Sequence, residues 1–413
     1  MTFSDWQQLS ASAAAREFHR RLLTLLPTSQ QRAVVAQFFN EEQLARAFAT
    51  ADRSAPLGGV PYLLKDLFDV GGLPTFAGSS FLPEVRGTPA DDATIVRTLR
   101  TCGAVLAGKT HLHEFAYGIT GENPHYGDCE HPHFPGRTSG GSSSGSAASV
   151  AAGLVPLAIG TDTGGSMRVP AAFCGVFGFR LAPGDPLGAD AFPLAPTFDT
   201  AGWFTASAAD MRVAISALVG LTISSAPPRG LYLAPAGLDA EVATACAAAA
   251  TRLAPTADAL TAAELLAGFD RSSETYNQIV AAEAWKIHQR WADQYRDRYD
   301  PTVWQRLQRG PSQAPADLAR AQAALARTRE LWTRYFRSFD FLLMPATPFA
   351  ALTKAGCDLA HRNHLLALTA PASLGGLPVL TIPVALPSGL TSGLQFIVPH
   401  VRSASLAWAL EQL

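Results

Sequence analysis

Two glycine- and serine-rich loops, joined by a run of small side chains, constrain this chain more than any other feature. The first is Thr138-Ser139-Gly140-Gly141-Ser142-Ser143-Ser144-Gly145-Ser146, and the second is Gly160-Thr161-Asp162-Thr163-Gly164-Gly165-Ser166. Between them, residues 146–153 are almost all Ala, Ser and Val. Side chains that small suit a helix packed very closely against its neighbours. Residues 154–159 then read as a strand leading into the second loop. Glycines let a backbone approach a ligand and turn its N–H groups inward. Taken alone, the second loop reads better as a plain glycine-rich turn between a strand and the next segment.

The flanking pattern predicts what these loops are mounted on. Residues 60–70 are an apolar strand ending in a turn at Gly71-Gly72. Residues 91–100 form an amphipathic helix with acids at its start, which suits the helix dipole. That helix stops at Gly103, and residues 104–107 follow as a short buried strand. This helix–glycine–strand order predicts an α/β fold with a mixed, largely parallel central sheet and helices on both faces. Phe18, Leu22, Leu23 and Leu26, then Phe38, Leu44 and Phe48, recur at helical spacing, so residues 1–55 are expected to be helical. Residues 239–339 are a helical insert, and strands return at 339–345 and 379–384. The expected organisation is one domain over residues 1–413. Its parts are N-terminal helices (1–55), a catalytic core (56–220), a helical substrate-side region (230–340), and returning strands with a C-terminal helix (341–413).

Composition excludes several classes. The formal charge of −2 argues against a nucleic-acid or anionic-membrane footprint. The five cysteines are odd in number and scattered with no Cys-x-x-Cys, which fits a reducing compartment and no structural zinc. No apolar run is long enough to span a bilayer, and the N-terminus lacks the apolar core of a signal peptide. A cytoplasmic protein is expected.

Lysine is rare here: four of the 32 Lys and Arg residues. One of them, Lys65, lies among Leu63, Leu64, Leu67 and Phe68. Arginine keeps its proton in proteins, whereas a desolvated lysine can lose it. Half-neutralising a lysine near pH 7 requires its pKa to fall by about 3, or ~4–5 kcal/mol, within reach of full burial. A neutral lysine is a base, and a serine hydroxyl needs a base before it attacks. The alternatives are that Lys65 pairs with Asp66 or reaches solvent. Three other signals carry less. Residues 103–110 fit G-x-x-x-x-G-K-[ST], but a phosphate loop follows a strand and opens a helix, the reverse of the order here. Gly141-Ser142-Ser143-Ser144-Gly145 matches G-x-S-x-G but lacks a preceding hydrophobic strand, because residues 134–140 look loop-like. His111, His113, His125, His131 and His133 cluster near Glu114. Without a further acidic or cysteine ligand, they are expected to be surface or hydrogen-bonding residues and not a metal site.

The two loops with their 24-residue serine spacing, the continuation Met167-Arg168-Val169-Pro170-Ala171, the run Phe173-Cys174-Gly175-Val176-Phe177-Gly178-Phe179-Arg180 and the lysine strand resemble the amidase signature family. The resemblance covers residues 56–205 well and the C-terminal strands loosely. It implies a single amidase domain and a Ser–cis-Ser–Lys triad, with Ser166 as nucleophile, Ser142 after a cis peptide from Gly141, and Lys65 as ultimate base. It also implies an oxyanion hole from the N–H groups of Thr163, Gly164, Gly165 and Ser166, an acyl-enzyme, and no cofactor. Residues 117–127 and 198–204 resemble the branch of plant-type indoleacetamide hydrolases, which implies a small aryl or alkyl amide near Gly118, Ile119, Thr120 and Gly141. The expected partner is a small-molecule amide, handled by a monomer or homodimer. Two other readings are a glutaminase-like A subunit of a tRNA-dependent amidotransferase and a catalytically silent interaction module. The second is opposed by the presence of all three triad residues.

Overall fold

Side chains alternate across a strand with period two, and that rule organises the centre of this molecule. The computed structural model describes residues 1–223 and 226–413. Its strands are β1 (Val35–Phe38), β2 (Pro61–Lys65), β3 (Val105–Thr110), β4 (Glu130–His131), β5 (Phe134–Thr138), β6 (Leu157–Asp162), β7 (Phe177–Arg180), β8 (Thr200–Thr205), β9 (Gly230–Tyr232), β10 (Phe341–Pro345), β11 (Val379–Ala385) and β12 (Thr391–Ile397). Ten of them form one sheet in the order β1-β3-β2-β6-β8-β7-β11-β12-β10-β9. Along β2, Tyr62 and Leu64 enter one core with Ile159, Phe179 and Trp203. Leu63 enters the opposite core with Ala147, Ala148, Ala158, Met167 and Phe204. Lys65, two residues beyond Leu63, therefore belongs to the face carrying the small-residue helix.

That helix is Ser144–Ala151, and every residue from Ser144 to Val150 is buried. A Cβ on Gly145 would stand 2.3 Å from the Val34 carbonyl oxygen and 2.8 Å from that of His111. Small residues are required because the helix lies directly on backbone. The result is a single α/β domain with a mixed sheet between helical layers. Helices Ser272–His288, Pro315–Tyr335 and Leu359–Gly375 pack together beside the loops. No helix among the described residues is long and apolar enough to cross a membrane.

Three local expectations differ from the structure. Residues 35–38 are a strand, β1, paired antiparallel with β3. The free edge of β3 supplies a ladder that helical spacing around Phe38 could not reveal. Residues 134–138 are not a loop but β5, paired with β4 in a separate two-stranded ribbon. Pro135 and Gly136 masked that signal. The balance of the sheet also shifts. Among the described strands of the large sheet, the parallel pairs are β2–β3, β2–β6 and β9–β10, against six antiparallel pairs. Parallel pairs need long crossovers. The helices Thr94–Thr101 and Ser144–Ala151 provide them in the first half, whereas β11 and β12 are joined by a short turn.

Candidate active site

Lys65 closes β2 and is fully buried. Its Nζ is hydrogen-bonded to Ser142 Oγ at 2.7 Å, Ser143 Oγ at 2.9 Å and Thr161 Oγ1 at 2.7 Å. All three partners are hydroxyls. Burial drives the amine well below its ordinary pKa, and the anions Asp162 and Asp199 only partly oppose this. Lys65 does not pair with Asp66. Asp66 belongs to the opposite face of β2, where it forms an ion pair with Lys109 at 2.5 Å. The segment that resembled a phosphate loop is the strand β3, and its lysine is used in that pair.

The Gly141–Ser142 peptide is cis. Gly141 N–H donates to the Ile119 carbonyl at 2.8 Å, and Ser143 N–H to the Ser166 carbonyl at 3.4 Å. The two glycine loops are thus in backbone contact at this point. Ser166 is 5% exposed. Lys65 and Ser142 are hydrogen-bonded, whereas the hydroxyls of Ser142 and Ser166 are not bonded to each other.

The second loop is held open from behind. Asp162 is fully buried and accepts from Gly165 N–H and Met167 N–H, each at 2.9 Å. It is also gripped by Arg168 at 2.9 Å and Arg180 at 2.8 Å. Burial opposes its charge, but the two guanidiniums hold its carboxyl far below the ordinary range. Asp162 therefore takes the Gly165 N–H that was expected to face a substrate oxygen. Among the described residues, the N–H groups of Thr163, Gly164 and Ser166 have no protein acceptor. Glycine is needed here for space. A Cβ on Gly164 would stand 2.5 Å from the Tyr276 hydroxyl, and one on Gly165, at φ +142°, would stand 2.9 Å from Thr369 Oγ1. Thr163 Oγ1 donates to Asp199 at 2.6 Å. A cavity of about 390 Å³ reaches this end, lined by Thr161, Thr163, Asp199, Leu67 and Phe192.

Asp162, Arg168, Arg180, Ser143 and Thr161 were not singled out in the sequence, although all lie in or beside the quoted motifs. An acid four residues before Ser166 and an arginine two after it were the available signal. Of the expected substrate-side residues, Ile119 touches the Gly165 site through its Cδ1. Thr120 Oγ1 instead bonds Glu122 at 3.0 Å. The histidines divide. His125 bonds Glu114 at 2.9 Å, and His131 and His133 bond backbone carbonyls. His111 stacks on Tyr126 and is buried. His113 is fully buried with neither ring nitrogen partnered, and burial pushes it down to about 3. Those two are neither on the surface nor, at His111 Nδ1 and both nitrogens of His113, hydrogen-bonded.

The amidase family profile matches residues 20–229 and 234–406. Indoleacetamide hydrolase of Pseudomonas syringae pv. syringae is 34% identical over 430 residues, spanning 95% of this chain and 93% of that protein. The 1-carboxybiuret hydrolase subunit AtzE of Pseudomonas sp. (strain ADP) is 36% identical over 360 residues, spanning 79% of this chain and 77% of that one. A solved structure described as an amidase superposes with a TM-score of 0.86 at 29% identity, covering 100% of this chain and 99% of the other.

Proposed function

This chain belongs to the amidase family and is an amide hydrolase; we propose that it cleaves a small carboxamide to a carboxylic acid and ammonia through an acyl-enzyme on Ser166. The observation that carries this reading is Lys65, fully buried and bonded only to hydroxyls, one of them Ser142 at 2.7 Å. Burial favours the neutral amine. With two N–H groups and one lone pair it can donate to two of the hydroxyls while the Ser142 O–H donates to the lone pair, which is where the proton is taken up. Ser142 passes the Ser166 proton to Lys65 as Ser166 Oγ bonds to the carbonyl carbon. The oxygen that gains charge is met by the free N–H groups of Thr163, Gly164 and Ser166, which stabilise it without reorganising. The proton then returns from Lys65 through Ser142 to the leaving nitrogen, and the C–N bond breaks. Water, deprotonated by the same route, adds to the acyl carbon and releases the acid and Ser166.

Asp162 is a positioning residue in this scheme. Its two backbone acceptances, from Gly165 and Met167, fix the loop and leave the N–H groups of Thr163, Gly164 and Ser166 without a protein acceptor. The amide in the name of one relative, indoleacetamide hydrolase, supports an amide as the bond cut. The test is ammonia release from a panel of primary carboxamides, indoleacetamide among them. Turnover is expected from the wild type and is expected to vanish in Ser166→Ala and Lys65→Ala. Wild-type rates in both variants would sink the proposal.

A further inference from the structure

A buried ring outside the triad lies beside Ser142. It belongs to His113, which opens a tight turn over residues 113–119, shortly after β3. Ala116 N–H donates to the His113 carbonyl at 2.9 Å, and Tyr117 N–H to the Glu114 carbonyl at 3.0 Å. Phe115 and Ala116 stand at φ +52° and +57°. Residues with a Cβ rarely adopt that left-handed region, and two in succession persist only where their surroundings over-determine them. Here Phe115 N–H donates to the Ala77 carbonyl at 2.8 Å. The Glu114 carboxylate accepts from Asp300 N–H at 2.8 Å, and Arg306 donates to the Tyr117 carbonyl.

Both ends of this turn grip the backbone around Ser142. His113 N–H donates to the Ser142 carbonyl at 3.2 Å, and the Ile119 carbonyl accepts from Gly141 N–H at 2.8 Å. The places of residues 113 and 119 therefore set where the Ser142 backbone lies, and with it the hydroxyl. One side chain fills the space between those ends. A Cβ on Gly118 would stand 2.1 Å from both Cε1 and Nε2 of His113, and 2.3 Å from Cδ2. The imidazole is thus pressed on the Gly118 backbone, next to the residue that holds Gly141. Neither ring nitrogen has a polar partner. A neutral imidazole carries one N–H and one lone pair, and burying both unpaired is unfavourable. No apolar side chain offers a flat five-membered ring: leucine is branched, and phenylalanine reaches further. The ring is kept for its shape.

We propose that His113 is a positioning residue for hydrolysis: its ring spaces the turn 113–119, and the turn holds Ser142 where its hydroxyl can pass a proton from Ser166 to Lys65. The inference rests on the reading of Ser166 as the nucleophile. His113 acts through the backbone of Ser142 and by shape, since burial keeps its ring uncharged. Proton transfer needs its two heavy atoms within about 2.6–3.2 Å of each other. A misplacement of about 1 Å is enough to cost ~10²-fold in rate.

Labelling by a fluorophosphonate tests this without a known substrate. Ser166 Oγ attacks phosphorus, fluoride leaves, and the serine proton goes through Ser142 to Lys65. A labelled wild type with an unlabelled Ser166→Ala upholds the nucleophile. An unlabelled wild type removes that reading, and this inference with it. In His113→Ala the rate constant is expected to fall about 10–100-fold, while the fraction labelled at completion stays that of the wild type. A merely structural residue would do the reverse, because unfolded molecules drop out of the labelled fraction. His113→Leu, close in volume but not flat, is expected to recover part of the loss. Gly118→Ala drives a methyl group into the ring, and is expected to lose at least as much as His113→Ala. Adding His113→Ala makes room for that methyl group, so the two losses are expected not to multiply. For an amide that is turned over, the loss is expected in kcat with KM unchanged. With the wild type labelled, three results overturn the proposal and leave the nucleophile standing. They are a wild-type rate constant in His113→Ala, losses that multiply in the double variant, and a His113→Leu rate no better than that of His113→Ala.

Discussion

Lys65 and Lys109 sit on adjacent parallel strands, and both are 1% exposed or less. In the register, Lys109 stands beside Leu64, and Lys65 beside Thr110. The two lysines therefore point to opposite faces of one sheet. On its face, Lys109 meets Asp66 at 2.5 Å. On the other, Lys65 meets only hydroxyls. Burial alone does not set the state of a lysine; the partner on its face decides whether the amine is a counter-ion or a base. One residue of alternation separates the two outcomes.

The largest effect that could break this contrast is on turnover. Lys65→Arg keeps a cation but cannot present a neutral amine, so ammonia release is expected to fall at least ~10³-fold with the fold retained by circular dichroism. An active Lys65→Arg enzyme would show that the base is elsewhere. Next comes stability. Lys109→Met strands Asp66 as a buried carboxylate whose pKa burial already raises, and is expected to cost about 3–5 kcal/mol in denaturant unfolding. Lys65→Met leaves hydroxyls behind, and is expected to cost less than about 2 kcal/mol. A reversed ranking would contradict the assignment of partners. The smallest effect sharpens the protonation state. In the folded protein Lys65 lies well below its ordinary value of 10.5, so the unfolded chain binds the proton first as pH falls. The stability of wild type relative to Lys65→Met is therefore expected to rise with pH up to that value and then level off. A flat difference between about pH 6 and 10 would mean that Lys65 titrates alike in both states.

Much of the site was legible because its parts are local. The loops, the 24-residue spacing of Ser142 and Ser166, the small-residue helix and the apolar setting of Lys65 are all patterns within short windows. What escaped is long-range. Strand β1 exists because β3 has an edge to pair, and β5 because β4 lies opposite. The engagement of Gly165 by Asp162 depends on Arg168 and Arg180 meeting at one carboxylate. His113 looked like one of a loose cluster, and its complete burial came only with the packing of Gly118 and the helices around it.

By itself, then, the sequence determined the chemistry available to this chain: two serines on glycine loops, a lysine in an apolar strand and small residues where backbones must touch. These follow from side-chain size and polarity over a few residues. Only the tertiary structure decided which lysine would be dry and unpaired, and which N–H groups would remain free. Those outcomes depend on which faces the alternation of the strands and the turns of the distant helices bring together, and no short window of sequence contains both sides of such a contact.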